Sequence, residues 1–119
     1  MINFHANPPI HPGEMLRTEF MEPLDLTPGK IARALGVPRT RIERFVREET
    51  NLTPDTAARL GRYFRTGIEF WLNLQKFYEA ECIHADKALI KVIEAIVPHP
   101  RPDLDAMPDE GPEGVGEAA

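Results

Sequence analysis

Between residues 39 and 47 the sequence reads RTRIERFVR, and four of those nine positions are arginine. A guanidinium is a planar fork of N–H donors that stays charged at physiological pH. It grips phosphate, and it reads guanine through O6 and N7 as a bidentate pair. Ile42 and Phe45 interrupt the basic residues, so a helix here has one dry face and one charged face. Arg39 and Thr40, at its front, would point at base edges, with Arg44 one turn on. Lys30, Arg41 and Arg47 are better placed for phosphate, which fixes register without reading sequence. Pro38 opens this helix. Thr27 and Thr53, each followed by proline, mark two further helix starts whose backbone N–H groups can meet phosphate. Glu43 has two readings. It orients an arginine or selects cytosine through N4, or it only forms an intrahelical ion pair with Arg39 or Arg47.

For the charged face to enter a groove, a second helix must brace it at a steep angle through a tight turn. The run KIARALGVPRTRIERFV, residues 30–46, has the parts. Ala32 is small where two helices must cross closely. Gly36, four positions on, tolerates the positive φ of a tight turn. Ile31, Leu35, Val37, Ile42 and Phe45 are apolar where the pair must lock to a core. A helical hairpin whose arginines only solvate a surface shares part of this pattern. The agreement of small, turn and apolar positions favours a helix-turn-helix that reads double-stranded DNA.

The rest of the chain reads as further helices. Residues 1–11 are expected to form an extended arm, because Pro8 and Pro9 discourage helix. His11 caps the first helix, Pro12 takes its first position, and Met15, Leu16, Phe20 and Met21 give it a face. Pro23 is expected to stop it. The second helix runs from Thr27-Pro28 to about Leu35, and the third from Pro38 to about Arg47. Thr53-Pro54 starts the fourth, with Ala57, Leu60, Gly61 and Phe64 on one side. Thr66 and Glu69 have capping-box spacing for a fifth helix over about 67–81. A sixth, over about 84–97, places Ala85, Ala88, Leu89, Val92, Ile93 and Ile96 in a stripe. No strand pattern competes, so the fold class is all-α. The expected organisation is an arm at 1–11, a helix-turn-helix domain at 12–81, a C-terminal helix at 82–97 and a disordered acidic tail at 98–119. Phe70, Leu74 and Phe77 read as core. The apolar surplus, Trp71, Leu72 and Tyr78, together with Leu89, Val92, Ile93 and Ile96, suits a subunit or partner interface.

Composition narrows the function classes. The 119 residues suffice for one domain, and 42% hydrophobic with 28% charged residues is ordinary for a globular protein. The net charge of −5 is unevenly placed, because residues 98–119 carry one basic and six acidic groups. Residues 27–65 hold nine basic and four acidic groups, a basic middle that suits a polyanion. One cysteine, Cys82, excludes an internal disulfide and a cysteine-rich zinc site. No metal and no cofactor are expected from the Cys82 and His84 pair, since structural sites want four ligands. No run approaches the roughly 20 apolar residues of a membrane span, and the start lacks a signal-peptide pattern. A cytoplasmic location is expected. No nucleophile–base pairing, phosphate-cradling loop or HExxH appears, so an enzyme is not expected.

Three stretches together carry a family resemblance. HPGEMLRTEFMEPLDLT at 11–27, LTPDTAARLGRYF at 52–64 and EFWLNLQKFYEAE at 69–81 flank the helix-turn-helix in order. The combination resembles HigA-type (VapI-like) antitoxins of the lambda-repressor-like Cro/C1 (XRE) class. The resemblance implies a five-helix DNA-binding domain, here followed by an extra C-terminal helix. It implies a homodimer that represses its own operon and binds a HigB/RelE-like ribonuclease toxin. Its operator-facing residues would be Arg39, Thr40, Arg41 and Arg44. A stand-alone transcriptional regulator without a toxin is the alternative, as is a toxin-binding module that has lost DNA binding. Two departures bear on this. Pro28 stands where many relatives have glutamine against the DNA backbone. Glu48 and Glu49 stand where many have a glycine and a basic residue, and their charge near phosphate would weaken binding.

Overall fold

A computed structural model describes residues 8–100, and over that range the chain forms six helices and no strand. His11 caps the first of them, its Nδ1 accepting from the Gly13 N–H at 2.8 Å. Helix α1 begins as Pro12–Leu16, widens into a π turn over Arg17–Met21, and resumes as Glu22–Leu24. The expected stop at Pro23 is therefore a correction. In the π turn Glu22 N–H reaches back five residues to the Arg17 carbonyl. The wider turn makes room for a proline ring that would otherwise press on the preceding turn. The helix ends instead at Asp25, in the left-handed region, where Leu26 N–H bonds the Met21 carbonyl at 2.9 Å.

Helices α2 (Pro28–Leu35) and α3 (Arg39–Val46) form the helix-turn-helix. Thr27 caps α2, accepting from Lys30 N–H at 3.2 Å. Gly36 ends α2 at φ 72°, and Val37 N–H closes the turn on the Ala32 carbonyl at 3.0 Å. Helix α4 (Pro54–Tyr63) starts with a Thr53 cap on Thr56 N–H. Helix α5 (Ile68–Ala85) starts after Gly67 at φ 85°, so the expected Thr66–Glu69 capping box does not form. Thr66 and Gly67 N–H both turn back to the Gly61 carbonyl, which closes the chain reversal over residues 64–66. A Cβ on Gly61 would stand 2.5 Å from the Gly67 carbonyl group, so this crossing needs glycine.

The core gathers one face from each of the first five helices. Met15, Leu16 and Met21 of α1 meet Ile31, Ala32 and Leu35 of α2, Ile42, Phe45 and Val46 of α3, Ala57 and Leu60 of α4, and Trp71 and Leu74 of α5. Helix α1 crosses α3 so closely that a Cβ on Gly13 would collide with the Phe45 carbonyl. Gln75 of α5 is buried, and its Oε1 accepts from Leu52 N–H at 2.9 Å, pinning the loop between α3 and α4.

Helix α5 runs through the expected boundary at 81/82 and ends only at Ala85, where Asp86 turns extended. The apolar stripe assigned to one sixth helix is thus split, with Ala85 on α5. The chain divides into two compact units after Lys87. The first holds α1 to α5, and the second holds nearly all of α6 (Lys87–Glu94). Most of the arm and of the acidic tail, residues 1–7 and 101–119, lies outside the described residues.

Candidate nucleic-acid interface

Helix α3 divides as its sequence dictates. Ile42, Phe45 and Val46 are buried, while Arg39, Thr40, Arg41, Arg44 and Arg47 are exposed. Burying the three apolar side chains commits the arginines to the outer face, because a helix sets residues about 100° apart. Thr27 and Lys30, at the start of α2, are also exposed. A Cβ on Gly29 would sit 3.5 Å from Arg39 Cδ, so the starts of α2 and α3 present one continuous surface.

The front of α3 breaks the rules that helix ends ordinarily follow. Pro38 occupies the cap position and offers no side-chain acceptor, and no acid stands in the first turn. Arg39 and Arg41 place positive charge on the positive end of the helix dipole. Backbone N–H groups and guanidinium groups are thereby aimed outward together. Such an end suits an anion far better than it suits itself.

Each arginine has a different neighbour. Arg39 is 70% exposed, and its Nε lies 3.2 Å from Glu43 Oε2. Arg44 approaches Glu49 only at 3.8 Å. Arg41 is held more firmly, with Nη1 2.6 Å from Asp55 Oδ2 on α4. Arg59 Nε donates to that same oxygen at 3.1 Å, and its Nη1 donates to the Leu35 carbonyl at 2.8 Å. The hydrogen bond from Arg41, then that from Arg59, holds the Asp55 carboxyl below the ordinary carboxylate range. Arg41 is therefore a latch between α3 and α4, while Arg59 extends it to the end of α2. Arg41, expected to meet phosphate, thus stands on the exposed face with Asp55 as its partner. Among the described residues, Lys30 and Arg47 have no carboxylate within ion-pair distance.

A groove of about 610 Å³ runs beside the latch, between α3 and the start of α4. Thr40, Arg41, Arg44, Thr50, Asn51 and Thr53 line it. Buried Phe45 borders it from the core side. Sequence reasoning missed Asp55, Arg59, Thr50 and Asn51 as parts of this face. The Asp55–Arg59 spacing of four was visible; the Arg41–Asp55 pairing depends on how α3 and α4 cross and was not.

The back of α3 is closed by an unusual residue. Glu48 sits at φ 64°, the left-handed position that favours glycine. Arg17 reaches it from α1, donating from Nη1 to the Val46 carbonyl and from Nη2 to Glu48 Oε2 at 3.4 Å. Glu49 N–H returns to the Arg44 carbonyl at 2.9 Å. The two acids thus face Arg17 and Arg44 respectively.

Of the expected interface residues, Trp71 is a correction. Its ring is 0% exposed and packs 5.2 Å from both Phe20 and Phe70. Large aromatic area on a helix that meets the core goes inward first, leaving no surplus at this position. Leu72 is half-buried and packs against the core, and half-buried Tyr78 sets its ring against His11 at 4.8 Å. Leu89, Val92, Ile93 and Ile96 are exposed. Among the described residues no three or more His, Cys, Asp or Glu gather as a metal site would require. No helix among the described residues is long and apolar enough to cross a membrane.

The fold and this face define a helix-turn-helix protein, and the helix-turn-helix family profile HTH_3 matches residues 19–71. The chain is 44% identical to virulence-associated protein I of Dichelobacter nodosus over 86 residues, which is 72% of this chain and 80% of that one. It superposes on PA4674 of Pseudomonas aeruginosa, solved in complex with its operator DNA, with a TM-score of 0.70 and 41% identity. That match covers 78% of this chain and 97% of the other. The antitoxin HigA of Pseudomonas aeruginosa, solved with the higBA promoter, gives a TM-score of 0.67 and 42% identity over 75% of this chain and 96% of its own. The chain belongs to the HigA-type, VapI-like family of Cro/C1 helix-turn-helix proteins.

Proposed function

We propose that this protein is a dimeric antitoxin that represses its own operon and holds a HigB/RelE-like ribonuclease toxin inactive. The observation that carries the DNA-binding half is the front of α3, where exposed arginines and an uncapped helix end face outward together. Two relatives of the same fold were solved on operator or promoter DNA, which supports carrying that activity over. In this reading Arg39, Thr40 and Arg44 meet base edges, and Lys30, Arg47 and the N-termini at Thr27 and Thr53 meet phosphate. Pro38 sets the approach of the helix. Glu43 acts through its arginine neighbour.

The toxin half rests on family membership and on the exposed apolar side chains of α6. Leu89, Val92, Ile93 and Ile96 supply that surface for a partner or a second copy. A cytoplasmic site of action follows from the proposed partners.

Gel shifts on DNA upstream of the protein's own coding sequence test the first half. A specific shift with two protected half-sites about 34–36 Å apart is the expected result. Co-expression with a RelE-like product of the adjacent gene tests the second, with restored growth expected. A specific shift without any toxin to neutralise would leave a stand-alone regulator. Neutralisation without a shift would leave a toxin-binding module alone.

A further inference from the structure

We propose that Glu43 is a positioning residue for DNA recognition: it fixes the Arg39 guanidinium so that both terminal nitrogens face one guanine. The inference rests on the reading of α3 as a base-reading helix and names what sets its selectivity. The contact runs from Glu43 Oε2 to Arg39 Nε at 3.2 Å. Nε is the inner nitrogen of the guanidinium. The nearest approach of the carboxylate is thus to the inner nitrogen, as an ion pair rather than a hydrogen bond, and Nη1 and Nη2 are the two donors that guanine O6 and N7 require.

The surroundings support the same pose. The Arg39 stem lies over Gly29, where a Cβ would sit 3.5 Å from Cδ, so the side chain is guided along the start of α2. Arg39 remains 70% exposed and Glu43 only 29%, so the arginine head projects beyond the carboxylate that holds it. A long side chain that is already oriented loses less freedom on binding, and the gain appears as selectivity. As a stabilising pair the contact counts for little. It is exposed, and arginine precedes glutamate, the weaker order on a helix. Its effect on DNA selectivity is therefore separable from folding.

Glu49 provides an internal control. It also faces an arginine Nε, that of Arg44, but from 3.8 Å. A contact that loose orients its partner poorly.

The test is binding-site selection from a randomised DNA pool with the full chain, comparing wild type with Glu43→Ala, Glu43→Gln, Glu49→Gln and Arg39→Ala. Thermal melts accompany each variant. The wild type should select a guanine in each half-site, and Arg39→Ala should lose it. Glu43→Ala should weaken that same guanine by about tenfold, with an unchanged melt and an unchanged salt slope. Glu43→Gln should weaken it as Glu43→Ala does, because the contact is an ion pair and the amide carries no charge. Glu49→Gln should change it less than Glu43→Ala. A guanine preference indifferent to Glu43→Ala would overturn the proposal. So would relaxation at a cytosine that Arg39→Ala leaves intact, since Glu43 would then read a base itself. A wild type that selects no sequence would sink the DNA-reading conclusion and this inference with it; the other two failures would sink the inference alone.

Discussion

Helices α2 and α3 are the same length, eight residues each, and they pack side by side, yet they end in opposite ways. Helix α2 has a threonine cap at its start, a glycine in the left-handed position at its end and an arginine in its last turn. Helix α3 has an uncapped proline start, two arginines at its positive pole and Glu48 where glycine would be relaxed. Their inner faces do not differ in kind, since both bury three hydrophobic residues. The contrast is confined to the ends and the outer face. A helix that only has to pack can satisfy every local rule. One that must meet a polyanion leaves donors and positive charge open, and the core beneath it has to hold it in place.

The comparison is sharpened first at the inner faces, where the largest losses lie. Phe45→Ala in α3 should cost about 3–5 kcal/mol and Ile31→Ala in α2 about 2–5 kcal/mol, read by chemical denaturation. A much smaller loss for Phe45 would mean that α3 is not anchored as α2 is. The ends come next. Thr27→Ala should destabilise by about 1 kcal/mol through loss of the α2 cap. Glu48→Gly should do the reverse and stabilise by about 1 kcal/mol, because a left-handed position becomes relaxed. The Arg17 contact it loses is exposed and contributes little. The same variant should bind all DNA sequences more tightly, since one negative charge near phosphate is gone.

Two smaller effects probe the surroundings. Lys30→Ala should weaken every DNA sequence alike and lower the salt slope of binding by about 1, as a phosphate contact would. Stability should also fall as the pH drops below about 6.5, the ordinary histidine value. Burial lowers the His11 pKa, against partial opposition from Glu48 and from a backbone hydrogen bond at Thr50. The unfolded chain therefore binds a proton that the folded chain refuses. The contribution is fully present above the unfolded value and is lost as the pH falls through the folded one. The Gly13 N–H bond to Nδ1 fits a neutral ring. Denaturation melts from pH 7 to pH 5 measure the slope, and a flat profile would show that His11 does not couple to folding.

Much of this was legible in the sequence, because the decisive signals were local. Ala32, Gly36, Ile42 and Phe45 specify a helix pair over a span short enough for periodicity to decide. Thr27-Pro28 and Thr53-Pro54 announce two helix starts that the structure places where expected. What escaped was set by tertiary contact. Pro23 breaks a regular α-helix but not one that widens into a π turn just before it. The α5 start depends on Gly61 and Gly67 touching across a reversal, which no capping pattern records. Trp71 reads as surplus when a helix is broadly apolar, yet three aromatic neighbours, Phe20, Phe64 and Phe70, enclose it. The Arg41 partner, Asp55, is brought to it only by the crossing of α3 and α4. The arginine face itself follows from spacing alone, whereas the partner of each arginine does not.

The most direct measurement is the ratio of specific to non-specific DNA affinity at one fixed salt concentration, for the wild type and for the Arg39→Ala, Arg44→Ala double variant. Base reading by the outer face of α3 predicts a high ratio for the wild type. It predicts a collapse toward unity in the variant, with about 1–3 kcal/mol of discrimination lost per arginine and the melt unchanged. A double variant that folds normally and still prefers the same operator would contradict the account.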